Sequence, residues 1–92
     1  MMLDVIFTKI AAKQIKKAPK HVQVKLRKWI LSVTSVGLEE TRKIPGYHDE
    51  PIHKGLERRS IRLNNQWRAE YRLEKDEVGK IVLILEVHPH DY

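Results

Sequence analysis

The segment RRSIRLNNQWRAEYRL, residues 58–73, spaces Arg58, Arg62, Arg68 and Arg72 so that all four share one face if it folds as two strands. A guanidinium stays charged, and its planar fork takes two oxygens of a phosphate at once. A row of them is suited to holding a polyanion. Other reactive side chains flank the segment: His53 and Lys54 before it, His88, His90 and Tyr92 after it. Histidine titrates near neutral pH and can give or take a proton. Tyrosine can stack on a base or donate a hydrogen bond. The plain alternative is a solvated outer face on which Glu70 serves as ion-pair partner.

Metal chemistry is not expected. The chain has no cysteine, and His88-Pro-His90 is a weak spacing for a ligand pair without one. His21 reads as an exposed helix residue and His48 as a loop residue. No cofactor is expected either.

The pairing of the two strands follows from their alternation. Ile61 and Leu63 share one face of the first; Trp67, Ala69, Tyr71 and Leu73 share one face of the second. A two-residue turn at Asn64-Asn65 pairs Arg62 with Trp67 and sets every apolar residue against a polar one. A three-residue turn, Asn64-Asn65-Gln66, pairs Leu63 with Trp67, Arg62 with Arg68 and Ile61 with Ala69. Only that register gives one apolar and one basic face. Like charges directly opposite one another weaken a sheet, so the row has a cost to justify.

The remaining elements must position this hairpin. Residues 3–7, LDVIF, read as a strand. Thr8 is a good N-cap for a helix in which Ala11, Ile15 and Ala18 recur at helical spacing. Pro19 ends it and opens a second helix to about Val36, with Val22, Leu26, Trp29, Ile30 and Val33 as its apolar stripe and Gly37 as its stop. LEETRK adds a further helical turn. Residues 44–52, IPGYHDEPI, read as a loop. IVLILEV, residues 81–87, is almost wholly apolar and reads as a central strand buried on both sides.

Ninety-two residues, about two-fifths of them apolar, are expected to make one domain spanning 1–92. The longest apolar run is too short to cross a bilayer, and the N-terminus lacks a signal-peptide pattern. A cytoplasmic protein with no membrane partner is expected. Charge is uneven. Residues 1–36 hold eight Lys or Arg against one acid, Asp4, a net +7; residues 37–92 hold ten against eleven, a net −1. Such an excess fits a polyanionic or acidic partner, or simply a solubilising surface.

SIRLNNQWRAEY resembles the central hairpin of the RelE/ParE superfamily of bacterial toxins, most closely the HigB type, which carries a Ser-Ile-Arg-Val-Asn-x-x-Trp-Arg-like segment here. The likeness continues through IPGYHDEPIHKG and into Asp91-Tyr92, and the element order matches over the whole chain. The resemblance implies an α+β fold: an N-terminal strand and helical hairpin on a mainly antiparallel sheet of about four strands. It implies the toxin of a type II toxin–antitoxin pair, a ribosome-dependent endoribonuclease that cuts mRNA in the ribosomal A site without a metal. Its partners would be mRNA, ribosomal RNA and a cognate antitoxin, a helix-turn-helix protein of the HigA type. It assigns a catalytic role to Arg68, which matches the arginine of the family's Trp-Arg pair, and to His53 or Lys54, where the family places a Lys or His; Arg62, opposite Arg68 in register, and His90 and Tyr92, at the C-terminus, complete the catalytic candidates. RNA contacts would fall to Arg58, Arg59 and Arg72 and, on the helices, Lys13, Lys16, Lys17 and Lys20. HigB-type chains often close on Asp-Tyr-His, so here either His88 or His90 is expected to take the last histidine's place or the mechanism differs. Two other readings are a ParE-type inhibitor that binds DNA gyrase and a noncatalytic RNA-binding module.

Overall fold

The computed structural model describes residues 3–52, 57–75 and 79–89. Its elements in chain order are β1 (Asp4–Phe7), α1 (Lys9–Lys17), α2 (Lys20–Val36), α3 (Leu38–Arg42), a 3₁₀ turn (Pro45–Tyr47), β2 (Glu50–Pro51), β3 (Arg58–Arg62), β4 (Trp67–Lys75) and β5 (Lys80–Pro89). The strands form one sheet in the order β1-β5-β4-β3-β2, in which only β1 and β5 run parallel.

The expected architecture holds, with five strands rather than about four. The additional strand, β2, is two residues long and lies inside the segment read as a loop. Pro51 carries no backbone N–H, which suits an edge position. The hairpin register is the expected one: Arg62 faces Arg68 and Ile61 faces Ala69. The Leu63 N–H donates to the Trp67 carbonyl at 2.9 Å. The Asn64 side-chain oxygen accepts from the backbone N–H groups of Gln66 and Trp67, at 2.8 and 2.7 Å, and so closes the turn on itself.

The helices cover one face of the sheet. Ala11, Ala18, Val22, Leu26, Trp29 and Val33 from the helices meet Ile61, Ala69, Tyr71, Val82, Ile84 and Val87 from the strands, and all are buried. Trp29 and Tyr71 meet at 5.0 Å between ring centroids with a tilt of 51°, a favourable aromatic geometry. Gly37, at φ +93, ends α2 where a side chain would be strained.

One expectation is corrected. β5 is fully buried only on its helix face; Ile81, Leu83 and Leu85 are half-exposed because no layer of the described residues covers the other face. The apolar run also hides an irregularity. Glu70 pairs with Glu86 but Tyr71 pairs with Ile84, so Leu85 is a bulge without a β4 partner. The bulge changes the strand's parity. Val82, Ile84 and Val87 all face the core, and Glu86 and His88 turn to the outer face. Helix α1 secures it. Thr8 accepts from the Ala11 N–H at 3.0 Å as the helix cap, and its hydroxyl donates to the Leu85 carbonyl at 2.8 Å. The Gln14 side-chain oxygen accepts from the Val87 N–H at 2.6 Å.

Candidate functional site

The open face of the sheet carries the charge. Across three strands, Arg62, Arg68 and His88 stand in one rung; Ser60, Glu70 and Glu86 stand in the next; Arg58, Arg72 and Leu83 follow. Neighbouring strands are about 5 Å apart, so each rung gathers its side chains into one patch. The structure therefore brings Arg58, Arg62, Arg68 and Arg72 together on one face, and the bulge adds His88 to them.

These arginines are not equivalent. Arg58 Nη2 lies 3.1 Å from Glu70 Oε1 and 3.6 Å from Glu86 Oε2. Arg72 pairs with Glu74. Arg68 instead donates to two neutral acceptors, the carbonyls of Asn64 at 2.9 Å and Trp67 at 3.2 Å. They orient the guanidinium without cancelling its charge. Arg62 has no hydrogen-bond or ion-pair partner among the described residues, and its Nε is buried without an acceptor. Positive charge is thus compensated towards Arg58 and Arg72 and left bare beside the hairpin turn.

His88 is held at both ring nitrogens. Nε2 is 2.7 Å from Glu70 Oε2 and Nδ1 is 2.9 Å from the Pro89 carbonyl. Partial burial opposes its charged form, but the bonds to Pro89 and Glu70 and the charges of Glu70 and Glu86 outweigh it. The result is a pKa above the ordinary histidine value.

Other candidate residues lie apart. Arg59 pairs with Tyr71 in register and points to the opposite side of the sheet from Arg58. Its Nε donates to Asp49 Oδ1 at 2.5 Å. Lys13, Lys16, Lys17 and Lys20 are exposed on the helical layer, across the sheet from the arginine row. His53, Lys54, His90 and Tyr92 lie outside the described residues. Among the described residues, no three His, Asp or Glu gather to hold a metal ion.

Reading the sequence missed one constellation, centred on the fully buried carboxylate of Asp49. Besides Arg59, the Tyr71 hydroxyl donates to Asp49 Oδ2 at 2.5 Å, and Arg42 Nε donates to the Tyr71 oxygen at 3.3 Å. Burial first, then the bond to Asp49, pushes the Tyr71 hydroxyl up to about 12. Tyr47 anchors the same segment to α2, its hydroxyl donating to the Lys25 carbonyl at 3.2 Å while Lys25 Nζ sits 4.8 Å from its ring centre. The network fixes residues 44–52 and β2 against β3, and so fixes the edge of the arginine face.

No protein-family model matches the sequence, and no curated protein matches it. Solved structures do. The chain superposes on a YoeB/ParE toxin from Agrobacterium tumefaciens with a TM-score of 0.70 at 15% identity, covering 97% of this chain and 100% of that one. The Escherichia coli DinJ-YafQ toxin–antitoxin complex gives 0.73 at 17%, covering 98% and 94%. The intact E. coli RelBE toxin–antitoxin complex gives 0.68 at 19%, covering 98% and 99%. At such identities the likeness is one of fold. The helical layer on one face of a five-stranded sheet defines an α+β class. Within that class, this chain has the RelE/ParE toxin fold.

Proposed function

We propose that this chain is the toxin of a type II toxin–antitoxin pair, an endoribonuclease that cuts mRNA on the translating ribosome. The observation that carries this reading is the uncompensated pair Arg62 and Arg68, adjacent in register, neither of which has an acidic partner among the described residues. Two guanidinium groups side by side repel. A phosphate between them would offset that repulsion.

Metal-free RNA cleavage has defined needs. A base takes the proton of a ribose 2′-OH, whose oxygen attacks the adjacent phosphorus. The 5′-oxygen leaves with a proton from an acid, and a 2′,3′-cyclic phosphate remains. Cations stabilise the phosphorane charge between the two steps. Arg68 and Arg62 suit the last role. His53, Lys54, His90 and Tyr92 are proposed for proton transfer and base contacts. Arg58 and Arg72 extend the RNA path, although Glu70, Glu86 and Glu74 weaken their share of the charge. Arg59 contributes less, being committed to Asp49. Lys13, Lys16, Lys17 and Lys20 are proposed to dock on ribosomal RNA.

The likeness to complexes described as toxin–antitoxin supports an antitoxin partner. Its proposed form is a helix-turn-helix protein of the HigA type, and the site of action the cytoplasm. No helix among the described residues is long and apolar enough to cross a membrane.

One observation favours a second reading. His88, the described histidine nearest the arginines, has both ring nitrogens engaged, which suits a module that binds RNA without cutting it. Expression without the antitoxin distinguishes them. The nuclease reading expects growth arrest with loss of translated mRNA and poor cutting of naked RNA. Arrest with intact transcripts and inhibited gyrase would replace it with the ParE-type reading. Binding to ribosomes without any cleavage would replace it with the binding module.

A further inference from the structure

We propose that His88 serves as a third fixed cation of the anion site, an imidazolium clamped by Glu70 and the Pro89 carbonyl beside Arg68, and not as the proton-transfer group. The inference rests on the reading of the arginine rung as a phosphate site and names a further group that binds there.

The geometry of the ring carries it. A carbonyl oxygen and a carboxylate oxygen only accept hydrogen bonds. His88 Nδ1 faces the first at 2.9 Å and Nε2 faces the second at 2.7 Å. With Glu70 ionised, both nitrogens face acceptors only, an arrangement that the imidazolium satisfies. A neutral ring would set a nitrogen lone pair against an oxygen lone pair at one of the two positions. Neither nitrogen is left to take a proton from a ribose hydroxyl.

Charges on every packed strand bear on this state. Arg68 stands opposite His88, with Arg62 beyond it; both oppose a further positive charge. Glu70 on β4 and Glu86 on β5 favour it, and they share their charge with Arg58 on β3. The net effect raises the His88 pKa above the ordinary value. The β5 bulge is what places the ring here: with regular alternation after Ile84, His88 would face the helices. Glu70 then acts as a positioning residue, turning one edge of the imidazole away from the arginines. The expected ligand is a phosphodiester chain held by Arg62 and Arg68; His88, with both N–H groups engaged, adds its charge to the field of the site and no hydrogen bond, and affinity should depend on pH.

The test uses the intact chain and a DNA oligonucleotide, which has no 2′-OH and cannot be cut. Its dissociation constant is measured at low salt from about pH 6 to about pH 9, with the His88 ring followed by NMR. Wild-type affinity should fall about three- to fivefold across that range, the scale of one partly screened charge contact. His88→Arg should abolish this fall, and His88→Gln should bind weakly throughout. Glu70→Gln should move the ring's midpoint down. A ring that titrates at or below the ordinary histidine value overturns the proposal. So does a fall in affinity that is the same in His88→Arg as in the wild type. Because the probe is uncleavable, either result bears on His88 alone. Absence of ribosomal cleavage bears on the nuclease reading and leaves this one standing.

Discussion

Two carboxylates, Glu70 and Asp49, organise this molecule at the scale of single residues, and they act on opposite faces of the sheet. Asp49 is fully buried and takes hydrogen bonds from Arg59 and Tyr71. Tyr71→Phe removes one donor from a buried charged acceptor. It should cost about 2 kcal/mol in urea denaturation, the scale for a hydrogen bond to a charged group. Glu70 sets a pH dependence through His88. A histidine whose folded-state pKa is raised stabilises the fold while protonated. That contribution is whole below the ordinary value of about 6.5 and is lost as pH rises through the higher folded-state value. The melting temperature of His88→Gln should therefore fall furthest below wild type at about pH 6 and approach it at about pH 9. The pairing of Arg62 with Arg68 was legible because alternation and turn length admitted only one register. Asp49 was not legible. Its partners lie ten and twenty-two positions away, and only the fold brings them to it.

Among the elements, strand β5 decides what the outer face contains. Its apolar run reads as uninterrupted, so the sequence shows a strand and conceals the parity change at Leu85. For the same reason β2 was lost: two residues flanked by turn formers carry no alternation to detect. The helices were legible because Thr8, Pro19 and Gly37 punctuate a clear 3.6-residue pattern. Helix α1 also steadies the bulge, through Thr8 and Gln14. Gln14→Ala leaves the Val87 N–H without its acceptor and should cost about 1–2 kcal/mol. Hydrogen exchange should localise the loosening to Val87, the residue next to His88. Uniform exchange along β5 in that variant would argue against α1 as the support of the bulge.

Over the whole molecule, positive charge is divided between two layers. Most of the lysines of residues 1–36 decorate the helices, while Arg58, Arg62, Arg68 and Arg72 line the open face of the sheet, with the core between them. Docking by summed charge and catalysis by oriented groups respond differently to mutation. A single change such as Lys16→Ala should weaken ribosome binding modestly and reduce the salt slope by about one unit at most. The bare arginine pair is proposed to stabilise a phosphorane. Single-turnover cleavage on mRNA-programmed ribosomes at saturating protein tests this, with binding measured separately. Arg68→Ala should bind within a few-fold of wild type and cut roughly 100-fold more slowly, the loss expected from removing a transition-state donor. An Arg68→Ala variant that binds and cuts like wild type would place the chemistry somewhere other than this face.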